Sequence, residues 1–152
     1  MDNTPKVEVS DAGGHRSLLE HALDKARNAR AHYGPDLGLA EMHAMLVDGY
    51  VVRYPTRVEF DTVGLEAGMF ASLQQCGSTP GDGFVLHVHP HFEDRAEDLP
   101  LLIAYHLVTV NYGEIADREV AERFGAALLG LETEEYYQRL CALADELDTA
   151  PE

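Results

Sequence analysis

The run from Leu99 to Val110 constrains the fold more than any other stretch. Leu102, Ile103, His106, Leu107 and Val110 recur at helical spacing, so the segment reads as a buried helix. Pro100 suits its first turn, where a missing N–H costs nothing, and Asn111-Tyr112-Gly113 ends it. A buried helix needs other elements packed around it, and the rest of the chain supplies them.

Leu18, Leu19, Ala22, Leu23, Ala26 and Ala29 mark an earlier helix beginning at His15 or Ser17, with Ser17 and Glu20 at capping-box spacing. Gly34-Pro35 closes it. Leu39, Met42, Met45 and Leu46 favour a short helix within 36–47, although Asp48-Gly49 would also serve a hairpin into Tyr50-Val51-Val52-Arg53. Thr56-Arg57-Val58-Glu59-Phe60 alternates as a strand, with Met69-Phe70-Ala71-Ser72-Leu73 as its expected hairpin partner. Phe84 to His89 reads as a central strand, because both of its faces carry apolar residues. Two more helices are expected at about 117–129 and 133–148, the last with Thr133 as cap. The order predicts an α+β fold: a small antiparallel sheet packed with N-terminal and C-terminal helices. Residues 1–14, polar and ending in Gly13-Gly14, are expected as a flexible arm, and 15–152 as a single domain.

Composition narrows the partners. The formal charge of -16 is concentrated late in the chain: residues 1–60 hold nine acids and seven bases, residues 61–152 eighteen acids and four bases. Such a surface repels nucleic-acid phosphates. Glu119-Val120-Ala121-Glu122-Arg123-Phe124-Gly125 resembles the first helix and turn of helix-turn-helix domains, but residues 111–152 carry eleven acids against Arg118, Arg123 and Arg139. A packed helix pair is the expectation there. No apolar run is long enough to span a membrane, and the N-terminus lacks the order of a secretory signal. Cys76 and Cys141, 65 residues apart, read as buried small hydrophobes of a reduced protein, and the expected location is cytoplasmic.

The chemistry-bearing feature is His87-Val88-His89-Pro90-His91, which holds three of the eight histidines. Alternate strand residues point the same way, about 6.6 Å apart at the backbone. Two imidazoles can tilt over that span to the roughly 3.3 Å separation that neighbouring zinc ligands require. His87 and His89 are therefore a feasible pair. On a straight strand His91 would lie about 13 Å from His87, so it ligates only if the chain bends at Pro90. Glu93, just beyond that bend, is the preferred third ligand. His106, on the buried helix, is the distant candidate, because a buried ring needs a hydrogen-bond partner or a ligand role. Two histidines and a carboxylate suit zinc, iron or manganese, with positions open for water or a small-molecule substrate.

Gly81, five residues, His87-Val88-His89, three residues and Glu93 resemble the first metal motif of cupins. The resemblance covers 13 residues and departs where the pattern continues with glycine, since position 100 is Pro100. It implies His87, His89 and Glu93 as a ligand trio. The expectation is thus a divalent-metal protein with ligands among His87, His89, His91 and Glu93. Glu93 and His106 are its acid–base candidates, and the reaction would be hydrolysis by metal-bound water. The alternative is a non-catalytic oligomerisation or interaction module in which the histidines serve packing. Arg53 and Arg57 form a candidate anion clamp, and Tyr50, Tyr54, Tyr105 and Tyr112 candidate walls of a ligand pocket.

Overall fold

The computed structural model describes residues 14–149. The expected arm, residues 1–14, lies outside them except for Gly14. Eight regular elements follow: α1 (His15–Tyr33), α2 (Leu39–Met45), β1 (Thr56–Phe60), β2 (Ala71–Gln75), β3 (Phe84–Val88), α3 (Leu99–Tyr112), α4 (Arg118–Leu129) and α5 (Thr133–Thr149). The fold is α+β, with helices on either side of the sheet in sequence.

α3 is the most deeply buried helix. Ten of its residues are buried, Leu102, Ile103, Ala104 and Val108 with no exposed surface at all. α1 lies along α4, and α4 against both α3 and α5. Ala22, Ala26 and Ala29 form the buried stripe of α1, so small side chains line that helix contact. α1 starts at His15 with Gly14 at the cap, which leaves Ser17 inside the first turn rather than capping it. The residue at Gly34 has φ 99°, a conformation that favours glycine, and its N–H donates to Arg30 O. The ambiguity over residues 36–47 resolves as a helix: Glu41 Oε1 accepts the Gly38 N–H at 3.0 Å and fixes the start of α2. Asp117 caps α4 by accepting the Val120 N–H. α5 includes Thr133 as its first residue, and the carbonyl taking the first helical bond is Glu132 O, from Tyr136 N–H.

The three-stranded sheet is mixed, in the order β1-β3-β2. β2 pairs antiparallel with β3, whereas β1 pairs parallel with it. The expected β1–β2 hairpin therefore does not form; β3 lies between them. The reason is in the side chains. Phe84 to Val88 has Val85, Leu86, His87 and Val88 all buried, so it belongs between two neighbours, and the more polar β1 and β2 take the edges. Leu86 and Val88 face the helices and join the main core. The opposite, outer face carries Arg57 and Glu59 on β1, Val85 and His87 on β3, and Ser72 and Gln74 on β2, in register across the strands.

No helix among the described residues is long and apolar enough to cross a membrane. Cys141 is half-buried, but Cys76 is exposed, contrary to its expected place in a core; Arg57 Nη1 lies 3.7 Å from its sulfur.

Candidate metal centre

His87 is the buried polar residue of the outer face, with 6% of its side chain accessible. The parallel register of β1 and β3 sets Glu59 directly beside it. One turn of the pleat further on, the Asp61 N–H bonds to Val88 O, which holds Asp61 against the same face just past the end of β1. Glu59, Asp61 and His87 thus each offer a ligand atom, all within 4.8 Å of one another. Among the described residues this is the group of three or more histidine, cysteine or carboxylate donors close enough to hold a metal ion.

The hydrogen bonds assign a task to each atom. His87 Nε2 lies 2.7 Å from Gln74 Oε1, across the strand pair from β2. On the other side of the ring, His87 Nδ1 lies 2.7 Å from Asp61 Oδ1. Gln74 thus holds the plane of the His87 ring from the side away from Asp61, as outer-shell partners do for metal-bound histidines. Glu59 is oriented in the same way, because Arg57 Nε donates to its Oε2 at 2.8 Å and leaves the other oxygen for a ligand. The Arg57 guanidinium is held above its ordinary pKa, chiefly by that bond to Glu59, and stays charged.

Ligands of a tetrahedral zinc ion stand roughly 3.3 Å apart. Loading the site means opening the 2.7 Å gap between His87 and Asp61 by about half an ångström and swinging Glu59 inward. Glu59 and Asp61 have accessible side chains, 44% and 34% exposed, and can make that adjustment, whereas the His87 ring is fixed. The donor set is one imidazole nitrogen and two carboxylate oxygens, which a divalent metal ion can take.

The other residues expected at the site stand elsewhere. β3 ends at Val88, and His89 becomes the cap of a single 3-10 turn, Pro90–Phe92, where its Nδ1 accepts the His91 N–H. The bend at Pro90 is present, but it directs His91 towards α5, where Nε2 lies 2.9 Å from Glu146 Oε1. Glu146 also takes a bidentate pair of bonds from Arg95, and Arg95 reaches Asp98. Arg95 first and His91 second hold the Glu146 carboxyl down to about 2. His91 is thus part of an ion-pair cluster that fastens the turn to α5. Glu93 is exposed at the end of that turn and outside the Glu59–Asp61–His87 group. His106 is also outside it, in edge-on contact with the Phe70 and Tyr105 rings. His89 instead lines a cavity of about 390 Å³ with Thr62, Leu65, Glu66, Gly68 and Leu147, beginning one residue beyond Asp61.

Sequence reasoning missed Glu59, Asp61 and Gln74. The available signal was the alternation Arg57-x-Glu59-x-Asp61, a polar face on a strand whose other face is apolar. The anion clamp also divides: Arg57 is held by Glu59 on the sheet, while Arg53 lies before β1 on another surface.

Compared with known proteins, the chain matches no family model, no curated protein and no solved structure.

Proposed function

We propose that this protein binds a divalent metal ion, of the zinc or manganese class, through His87 Nδ1, Asp61 and Glu59. The observation that carries the reading is the convergence of these three donors on one sheet face, with the far nitrogen of the imidazole already held by Gln74. Three protein ligands leave positions open for water and substrate, and a metal of this class lowers the pKa of bound water towards neutrality for hydrolysis. The cavity lined by Thr62, Glu66 and His89 begins at the residue after Asp61 and offers room for a small substrate. In this reading Glu59 and Asp61 take the ligand places that spacing alone assigned to His89, His91 and Glu93, and His89 faces the substrate cavity.

The test is titration of untagged, chelator-stripped protein with Zn²⁺ and Mn²⁺ by calorimetry, with metal content measured after dialysis. One ion per chain is expected, weakened at least about tenfold in Asp61→Asn and in Glu59→Gln, since each removes a charged ligand. Both carboxylates are accessible, so these variants keep the fold, and circular dichroism checks that they do. His89→Ala and Glu93→Gln are the comparison arms and are expected to bind as the parent does. No stoichiometric binding, or unchanged affinity in both carboxylate variants, overturns the assignment.

A further inference from the structure

A cavity of about 590 Å³ lies away from His87, between the C-terminal end of α3 and the end of the sheet where β3 begins. Its wall is built from Tyr54, Leu73, Phe84, Tyr112 and Ile115. The Tyr54 and Phe84 rings lie 6.1 Å apart, and the Tyr112 hydroxyl is bonded to His21 at 2.6 Å, which fixes that side of the cleft. Ile115 is 72% exposed at the rim, an aliphatic side chain with little else to cover it. The volume is in the range of small-molecule sites, and such sites combine an apolar wall with a few polar groups that set orientation.

Those polar groups can be sorted by what they already hold. Asn111 is spent within the protein: Oδ1 accepts the Arg53 N–H at 2.6 Å and Nδ2 donates to Val51 O. Gln75 Nε2 is bonded to Gly77 O. Arg53 is different. Arg27, Arg57, Arg95, Arg118, Arg123 and Arg139 each hold a carboxylate, and Lys25 and Arg30 are held by backbone carbonyls; among the described residues no carboxylate lies within ion-pair distance of Arg53. Its guanidinium rests over the Tyr54 ring, 5.4 Å from the centroid, at the cavity wall. In a chain with 27 acids and 11 bases, a cation without a carboxylate partner beside an aromatic cleft is complementary to an anion.

We propose that this cleft binds a planar aromatic carboxylate, its ring against Tyr54 and Phe84 and its carboxylate on the Arg53 guanidinium. The planar fork of arginine matches a carboxylate with two parallel N–H donors, and stacking on Tyr54 holds that fork in place beforehand. Glu114, on the same cavity wall, opposes any anion and sets the upper limit of affinity. The site is independent of the metal centre. It borders the first residue of β3, and its ligand contacts involve none of Glu59, Asp61 or His87.

The experiment titrates the full chain, in excess chelator, with naphthalene-2-carboxylate, 2-naphthylmethanol and 2-naphthylmethylammonium, read by calorimetry and by the shifts of the tyrosine ring resonances. Saturable binding of the carboxylate is expected, at least about tenfold tighter than the alcohol, because a hydrogen bond to a charged group is worth that factor or more. Arg53→Gln should abolish the difference between the two, and Glu114→Gln should tighten the carboxylate alone. Arg53 is exposed and its backbone bond to Asn111 survives substitution, so this variant folds. Equal binding of all three probes, an undiminished preference in Arg53→Gln, or no saturable binding overturns the proposal.

Discussion

Acidification of this protein should act on the unpartnered ring of His106. His106 sits on α3 with its Nε2 shut off from solvent and without a hydrogen-bond partner. Its neighbours there are the edges and faces of Phe70 and Tyr105, at 6.1 and 5.4 Å between centroids, which offer nothing to a positive charge that would match water. Burial alone pushes its pKa from 6.5 down to about 4. The unfolded chain therefore takes up the proton first as pH falls. The stability associated with a neutral His106 is complete above pH 6.5 and is lost progressively as pH drops towards 4. At about 1.4 kcal/mol for each pH unit between the two values, the ceiling is roughly 3 kcal/mol, of which roughly 2 falls between pH 7 and pH 5. Part of the residue's surface is accessible, so rotation of a protonated ring towards solvent can only reduce these figures. The perturbation is His106→Leu, which keeps the volume, favours the helix and removes both the titration and the unpartnered nitrogen. Urea denaturation of both proteins, in chelator, at pH 7, 6 and 5 measures the difference. The variant should equal or exceed the parent at pH 7, with a margin that widens by about 1–2 kcal/mol at pH 5. Parallel stability curves would refute the reasoning, because they would mean that the native state accommodates the charged ring without cost.

Two further substitutions test the packing. Gly125→Ala should destabilise by about 1–3 kcal/mol in thermal melts, since a Cβ there meets the buried Tyr136 ring, whose hydroxyl is tied to Leu101 O; an ordinary helical position would instead gain from alanine. Asn111→Ala should cost about 2–4 kcal/mol and speed amide exchange at Arg53, because it strands the Arg53 N–H and Val51 O that the Asn111 amide satisfies. A loss below 1 kcal/mol would show that water replaces the amide.

The helices were legible because their signals are local. Leu99–Val110 shows its burial in one window, Gly34-Pro35 marks an end, and Pro100 marks a beginning. The strand positions were equally plain, but their partners were not. Whether Thr56–Phe60 meets β2 or β3 depends on competition for the centre of the sheet, which no single strand reveals. The same limit applies to the site. His87 drew attention because histidines cluster beside it, yet the groups that meet it come from positions 59, 61 and 74, brought in by strand register. A pair such as His87 and His89 is visible as a spacing. A trio such as Glu59, Asp61 and His87 becomes visible only once the parallel pairing is known.

That pairing also orders events in time. β3 is the last strand in the sequence and the middle one in space, so during synthesis β1 and β2 have no partner until residue 88 leaves the ribosome. β2 and β3, joined by residues 76–83, can then pair with each other, while β1 must be recruited across the longer separation of residues 61–83. Until β1 pairs, Glu59 and Asp61 are not held beside His87, and of the candidate site only the His87–Gln74 contact across β2 and β3 can be in place. A newly made chain would gain its capacity for metal in the same step that completes its sheet.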